Sequence, residues 1–165
     1  MSEAIAEWAR VGRPALERVA RTYGSYVTYQ EMALLVQNEA GVTTGVPFRH
    51  WIGKVLGEIA RQERPGEPIL TSLVVHADGT IGDGYIIPIR ERGEPDPDDL
   101  ELHAAAERLR CYRHYGADLP LDGGRPVFTK AVATRRASAR PTKPRMVCPT
   151  CHLQLPASGV CDTCI

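Results

Sequence analysis

The chain has 165 residues, enough for one folded domain with a small appendage but too few for two full domains. Hydrophobic residues make up 43% and charged residues 24%, which is ordinary globular usage and excludes wholesale disorder and a fibrous architecture. No stretch approaches eighteen consecutive apolar residues, and acidic residues stand where a signal peptide needs a basic start. We therefore expect a soluble cytoplasmic protein with no membrane partner.

The formal net charge is zero, yet the charges are unevenly distributed along the chain. The first 122 residues carry 13 basic and 19 acidic side chains, and no acidic residue follows Asp122 until Asp162. Seven basic residues occupy that interval: Arg125, Lys130, Arg135, Arg136, Arg140, Lys143 and Arg145. A basic arm of this kind favours an anionic partner.

The first half of the chain predicts three helices. Apolar residues three and four apart predict a first helix that starts near Pro14 and ends at Gly24. The sequence Thr28-Tyr29-Gln30-Glu31 has the form of a capping box, and it begins a second helix that ends before Gly41. The same spacing predicts a third helix over residues 47–62, with its apolar face at Trp51, Ile52, Val55, Leu56 and Ile59.

The second half predicts a β-hairpin, a fourth helix and a linker. Residues 69–75 are rich in aliphatic side chains, Asp78-Gly79 is a strong turn sequence, and residues 80–89 would form the return strand. An acidic cap at residues 96–99 begins a helix that reaches Gly116, with a buried stripe of Leu102, Ala105, Ala106, Leu109 and Tyr112. Apolar periodicity then vanishes over residues 117–145, which predicts a flexible basic linker.

Four of the five cysteines lie in the last eighteen residues with the spacing C-x2-C-x9-C-x2-C; they are Cys148, Cys151, Cys161 and Cys164. A two-residue spacer lets both thiolates of a pair turn onto one ion, and four sulfurs complete a closed tetrahedral site. A redox pair, an iron centre and an iron–sulfur cluster are the alternatives, but no βαβ pattern surrounds these cysteines. We predict one structural Zn2+ ion and a ribbon that folds around it.

Three short motifs lie between residues 27 and 85: Val27-Thr28-Tyr29, the sequence WIGKVL at 51–56, and the sequence VVHADGTIG at 74–82. Together they resemble the winged-helix DNA-binding domain of the O6-alkylguanine-DNA alkyltransferases and of their catalytically dead alkyltransferase-like relatives. The resemblance covers about a third of the chain. It implies a winged-helix geometry and DNA binding.

The same resemblance does not extend to the alkyl-transfer activity. In the aligned motif, Thr71 stands where the family has its alkyl-accepting cysteine, and Ser72 stands where it has the histidine partner. His50 falls on the position of the family's arginine finger, and the asparagine-proline pair after the recognition helix has no counterpart. We therefore expect the winged-helix geometry of the family but not its alkyl-transfer activity.

These patterns combine into an α+β architecture with three parts. Residues 1–116 would form a winged-helix-like domain with a β-hairpin and a C-terminal helix. Residues 117–145 would be the flexible basic linker, and residues 146–165 the small zinc ribbon. Such a ribbon is equally suited to binding nucleic acid or protein.

The predicted function is non-enzymatic binding of DNA, most simply duplex DNA. Basic residues on a helix face and along an arm neutralise phosphates, and the predicted contacts are Arg49, His50, Lys54, Arg61, Arg135, Arg136, Arg140 and Lys143. One alternative is a protein adaptor that docks through the ribbon on a larger nucleic-acid or defence complex. A second is a nuclease or hydrolase, for which the candidate groups are His76, Asp78 and Asp83 around the hairpin and His103, Cys111 and His114 on or just beyond the fourth helix. Because no catalytic motif is present, we assign no catalytic residue.

Overall fold

The computed structural model describes residues 2–139, 147–151 and 164. Over these residues the chain forms α1 (Ser2–Ala20), β1 (Val27–Thr28), α2 (Tyr29–Ala40), α3 (Ile52–Arg61), β2 (Val74–Val75), α4 (Ile86–Glu91), α5 (Leu100–His114) and α6 (Lys130–Ala139). The predicted α+β class is confirmed. Of the described helices, none has both the length and the apolar character that crossing a bilayer requires.

The chain divides into one compact unit that ends at Thr134 and a second that begins at Arg135. The core of the first unit is built around α1, which packs against α2, α3 and the 3-10 turn Leu70–Leu73. The buried face of α1 consists of Trp8, Ala9, Val11, Gly12, Ala15, Leu16 and Ala20. The candidate site lies on this first unit, so its geometry depends on how α1 holds its neighbours.

The first helix begins twelve residues before the predicted start at Pro14. Pro14 lies inside α1, where a proline removes one backbone hydrogen bond at a cost of about 3 kcal/mol. The preceding turns bury Trp8, Ala9 and Val11, and burial of a large apolar side chain stabilises by about 1.5–3 kcal/mol. The helix therefore continues through the proline toward the N-terminus.

Two stacked tryptophans join α1 to the start of α3. The rings of Trp8 and Trp51 have centroids 4.2 Å apart, and both residues are almost completely buried. The Trp8 Nε1–H donates to the carbonyl of Val42 at 2.8 Å, and the Trp51 Nε1–H donates to the carbonyl of Val46 at 3.0 Å. These bonds attach the segment that leads from α2 to α3 to the two tryptophan rings at two points.

The second helix has the predicted capping box. The Glu31 N–H donates to Thr28 Oγ1 at 3.2 Å, and the Thr28 N–H donates to Glu31 Oε2 at 2.7 Å. Gly41 ends the helix with a φ of 65°, in the left-handed region that favours glycine. Immediately before this helix, β1 pairs in parallel with β2, with Val27 opposite Val74.

The predicted β-hairpin is reduced to a tight turn, and the prediction of a long return strand is wrong. The His76 N–H donates to the carbonyl of Thr80 at 2.8 Å, and one isolated antiparallel bridge joins Val75 to Ile81. Beyond that bridge the chain forms a 3-10 turn and α4. The buried residues Ile81, Tyr85 and Ile89 are spaced by four, which is a helical period and not the alternation of a strand.

The fourth predicted helix corresponds to α5, and Asp99 caps it by accepting from the Leu102 N–H at 3.0 Å. The predicted stripe is wrong at Leu102, which is 50% exposed. Burial falls instead on the neighbouring face, where Ala104, Glu107 and Arg108 lie inside. Polar side chains on this inner face are not predicted by apolar periodicity.

The segment predicted as a flexible linker also differs in the structure. The Ala117 N–H donates to the carbonyl of Tyr112 at 2.9 Å, and buried Thr129 donates from Oγ1 to the carbonyl of Gly79 at 2.8 Å. Residues 130–139 then form α6, in which Val132 is buried. The segment 117–129 therefore packs on the first unit, although it lacks any periodic apolar pattern.

Substitution at Gly12 tests the packing of α1. A Cβ atom at Gly12 would lie 2.9 Å from Ile59 Cδ1 and 3.0 Å from Met32 Cε. We expect Gly12→Val to lower the free energy of unfolding by about 1–3 kcal/mol, because overpacking forces the neighbours apart. At Gly53 a Cβ meets nothing within 4 Å, so Gly53→Val is the matched control and should change stability little. Equal denaturation midpoints for both variants would contradict this packing.

Candidate functional site

The predicted basic residues around α3 form an exposed surface. Arg49 and His50 lie in the 3-10 turn Phe48–His50 that precedes α3, and Lys54 lies in its first turn. All three are exposed. Within the part of the chain that the structure describes, none of their side chains has a hydrogen bond or ion pair. We call these three residues the basic edge.

Arg61, the fourth predicted contact on this helix, has a different environment. Its guanidinium forms an ion pair with Glu58 on the same helix, and its side chain is 58% exposed. The positive charge is therefore partly compensated. The basic edge, at the other end of α3, carries the uncompensated charge of this region.

A pocket of about 380 Å3 opens beside the basic edge. One wall is the outward face of α3, from Gly53 and Lys54 to Arg61. The opposite wall is α4 with the 3-10 turn before it, and Tyr29 and Thr71 contribute to the remaining lining. The lining is mostly apolar with a few polar groups, as in sites that bind small organic groups.

One polar atom in this pocket lining lacks a partner. Thr71 is 7% exposed, and its Oγ1 is buried without a hydrogen bond. Leaving a buried hydroxyl unpaired costs about 1–3 kcal/mol. Thr71 contributes to the pocket lining, but its Oγ1 atom is itself closed to solvent in this conformation.

Tyr29 closes the end of the pocket nearest the turn at residues 76–80. Its ring lies against the ring of His76, with centroids 4.8 Å apart. Burial raises the pKa of the Tyr29 hydroxyl, and the negative charge of Asp83 raises it further. A Cβ atom at Gly82 would lie 2.2 Å from this hydroxyl oxygen, so only glycine fits beside it.

Some of the residues predicted for a hydrolytic site come together in the structure. Tyr29 brings together His76, by ring contact, and Asp83, by charge. Asp78 instead accepts hydrogen bonds from Thr80 Oγ1 at 2.6 Å and from Thr80 N–H at 3.0 Å, so it closes its own turn. Two of the three candidate residues, His76 and Asp83, therefore interact with Tyr29, and Asp78 has a structural role in its turn.

Cys111 is buried beside Ser72. Its Sγ atom is 3.9 Å from Ser72 Oγ and donates to the carbonyl of Ile69 at 3.5 Å. Burial raises the pKa of the Cys111 thiol to about 12. Because the thiolate is the nucleophilic form of cysteine, this shift disfavours a nucleophilic role for Cys111.

Three of the four predicted metal ligands come together in the second unit. The sulfur atoms of Cys148, Cys151 and Cys164 all lie within 4.8 Å of one another, close enough to hold a metal ion. The sulfurs of Cys148 and Cys164 are 3.7 Å apart. Two sulfurs bound to one tetrahedral ion at about 2.3 Å lie about 3.8 Å apart. The fourth predicted ligand, Cys161, lies outside the described residues.

A backbone N–H group donates a hydrogen bond to one sulfur of this cysteine cluster. The Thr150 N–H donates to Cys148 Sγ at 3.4 Å, which stabilises a thiolate at that position.

Of the predicted arm residues, Arg135 and Arg136 are exposed on α6. Arg140 and Lys143 lie outside the described residues.

Comparison of the chain with protein-family models, with curated proteins and with solved structures finds no match. Function must therefore be inferred from the basic edge, the pocket and the cysteine cluster themselves.

A pair of threonines tests whether the Thr71 hydroxyl is unpaired. We expect Thr71→Val to keep or raise the free energy of unfolding, by about 1 kcal/mol, because an orphaned polar atom is replaced by a methyl group. The matched control is Thr129→Val, which removes the bond from Thr129 Oγ1 to Gly79 and should lower stability by about 1 kcal/mol. Denaturant unfolding measures both. A larger loss for Thr71→Val than for Thr129→Val would contradict the assignment.

Cysteine substitution tests the metal centre. The purified chain should retain one metal ion, and Cys148→Ser or Cys164→Ser should lose most of it because each removes a thiolate ligand. Cys111→Ala is the matched control, since Cys111 is buried in the first unit, and it should leave the metal content unchanged. Elemental analysis after reducing purification gives the result. Full metal retention by Cys164→Ser would exclude this cluster as the site.

Proposed function

We propose that the chain binds duplex DNA, with the basic edge and the pocket beside it as the contact surface. The observation that carries this proposal is the basic edge itself, three exposed side chains without protein partners at the start of α3. Exposed Arg and Lys side chains without partners bind phosphates by releasing condensed counterions. An α-helix with its side chains is about 10–12 Å in diameter, which matches the width of about 12 Å of the major groove.

The pocket suggests how the surface engages the duplex. It opens along the face of α3 that carries Lys54, and an aromatic ring at Tyr29 and an unpaired hydroxyl at Thr71 line it. A base rotated out of a duplex is a planar group with polar edges, and such bases are held by stacking and hydrogen bonds in pockets. We propose that this pocket accepts an extruded base against its apolar lining.

The resemblance to the alkyltransferase-like DNA-binding domain is part of this proposal. Its first and third motifs, at residues 27–29 and 74–82, lie side by side because β1 pairs with β2. In a winged-helix arrangement, α3 would be the recognition helix and the turn at residues 76–80 a short wing. Buried Thr71 and buried Cys111 support binding without alkyl transfer.

The second unit is proposed to be a zinc ribbon. Cys148, Cys151, Cys161 and Cys164 would hold one Zn2+ ion, and the separation of 3.7 Å between the sulfurs of Cys148 and Cys164 fits two thiolates on one tetrahedral ion. The ion would supply folding free energy to a segment too short to bury a core. The arm residues Arg135, Arg136, Arg140 and Lys143 would add affinity for phosphates that falls as salt rises.

Charge reversal tests the contact surface. We expect the double variant Arg49→Glu, Lys54→Glu to weaken binding of a short duplex by at least tenfold at low salt, because two phosphate contacts become repulsive. Each lost contact should also lower the slope of log affinity against log salt by about one unit. Fluorescence anisotropy of a labelled duplex over a range of salt concentrations measures both effects.

The control for this test keeps the change in net charge but moves both reversals away from α3 and from the pocket walls. Arg10 and Arg18 are exposed on α1, so Arg10→Glu, Arg18→Glu changes the net charge equally. This control should bind nearly as the unmodified chain does. If both double variants lose affinity equally, DNA responds only to net charge and the basic edge is not the contact. If neither loses affinity, the basic edge is not the contact and binding depends on other charges such as the basic arm. If the unmodified chain does not bind the duplex at low salt, the adaptor interpretation replaces DNA binding.

A further inference from the structure

Two exposed apolar side chains lie immediately before the basic edge. Val46 is 39% exposed, and Phe48 is 36% exposed. Phe48 begins the 3-10 turn that also contains Arg49 and His50. We call Val46 and Phe48 the apolar tip. Because exposed apolar side chains are ordinary in proteins, the role of the apolar tip depends on what holds it and on the charges around it.

The backbone of the apolar tip is held by a buried tryptophan. The Trp51 Nε1–H donates to the carbonyl of Val46 at 3.0 Å, and the Trp51 backbone N–H donates to the carbonyl of Phe48 at 3.1 Å. Trp51 is 2% exposed and stacks on Trp8. The apolar tip is therefore positioned before any partner arrives, which lowers the entropy cost of binding.

The charges around the apolar tip are positive. Arg49 and His50 directly follow Phe48, and Lys54 lies in the first turn of α3. No acidic residue occurs between Glu39 and Glu58 in the sequence. A partner that contacts the apolar tip must therefore also accept the positive charges beside it. A groove of duplex DNA meets both requirements, because its base edges are bordered by phosphates.

We propose that the apolar tip contacts the 5-methyl groups of thymine in the major groove, so that this surface prefers DNA that presents such methyl groups. The proposal rests on the proposed binding of α3 to duplex DNA. Residues at the N-terminal end of a helix in the major groove contact base edges. Thymine presents a methyl group there, and phenylalanine is one of the side chains that contact it.

This contact would add a sequence preference that the basic edge cannot supply. Contacts between basic side chains and phosphates position a protein on DNA but do not distinguish one base from another. Burial of a single methyl group, in contrast, corresponds to about fourfold in affinity. Arg49 and Lys54 would then provide most of the affinity, and Phe48 and Val46 would provide the preference.

Two duplexes of the same A·T-rich sequence test the proposal, one with thymine and the other with uracil at every thymine position. Uracil pairs as thymine does and lacks only the 5-methyl group. In fluorescence anisotropy at fixed salt, the full chain should bind the thymine duplex about fourfold more tightly. Phe48→Ala should bring this ratio close to one. Leu102→Ala, which shortens a 50% exposed side chain on α5, should keep it.

Equal affinity of the unmodified chain for the thymine and uracil duplexes would overturn the proposal and leave the apolar tip to a protein partner. An unchanged ratio in Phe48→Ala would also overturn it, and Val46→Ala serves as the variant if Phe48→Ala does not fold. Binding without a thymine preference leaves the proposed function intact. Absence of binding to either duplex at low salt overturns both proposals.

Methylated cytosine gives a further comparison that needs no variant. A G·C-rich duplex with 5-methylcytosine in place of cytosine presents the same methyl group in the major groove from a different base. The full chain should bind this duplex more tightly than the unmethylated one, again by about fourfold for one buried methyl group. Equal binding of the two G·C-rich duplexes would contradict methyl recognition.

Discussion

The stacked pair of Trp8 and Trp51 is the contact on which the position of α3 depends. It joins the middle of α1 to the residue immediately before α3, and its two indole N–H groups hold the carbonyls of Val42 and Val46. Aromatic pairs of this kind contribute about 0.5–1.5 kcal/mol beyond their burial. Because Val55 and Ile59 are also completely buried, α3 has only one face left for solvent.

That remaining face carries both parts of the candidate site. Lys54 lies two residues into α3, Arg49 and His50 lie in the turn held by Trp51, and the pocket runs along the helix toward Arg61. The same packing leaves Thr71 Oγ1 unpaired at the pocket wall. Buried Glu107, by contrast, accepts from the Ile69 N–H at 2.8 Å. Among the described residues, Arg13, Glu101 and Arg108 each have one further buried side-chain atom without a hydrogen bond.

Part of this structure is predictable from the sequence because it depends on residues close together in the chain. Thr28 and Glu31 cap α2 as their spacing predicts, and the apolar residues of α3 are buried as their period predicts. The cysteine spacing predicts that all four C-terminal cysteines meet at one ion, and the structure brings the sulfurs of Cys148, Cys151 and Cys164 together. The segment at residues 80–89 is misleading, since its β-branched residues suggest a strand while Ile81, Tyr85 and Ile89 are buried with a helical period.

The pocket and the buried charge could not be predicted in this way. Tyr29, Lys54 and Thr71 are far apart in sequence, and an unpaired hydroxyl is a property of the packed core. Arg108 lies on α5 among residues that a helical pattern would assign to a polar face, yet it is buried. The segment 117–129 packs through single contacts such as Thr129 to Gly79, which leave no periodic pattern.

The central claim is that the exposed face of α3 is the surface that meets duplex DNA. An NMR titration of the isotopically labelled full chain with a short duplex tests it most directly, because it reports each backbone amide separately. The account predicts that the amides of residues 48–61 and of the pocket residues Thr71 and Gly84 shift together and saturate at one stoichiometry. Shifts confined to residues 135–151, with residues 48–61 unchanged, would contradict it.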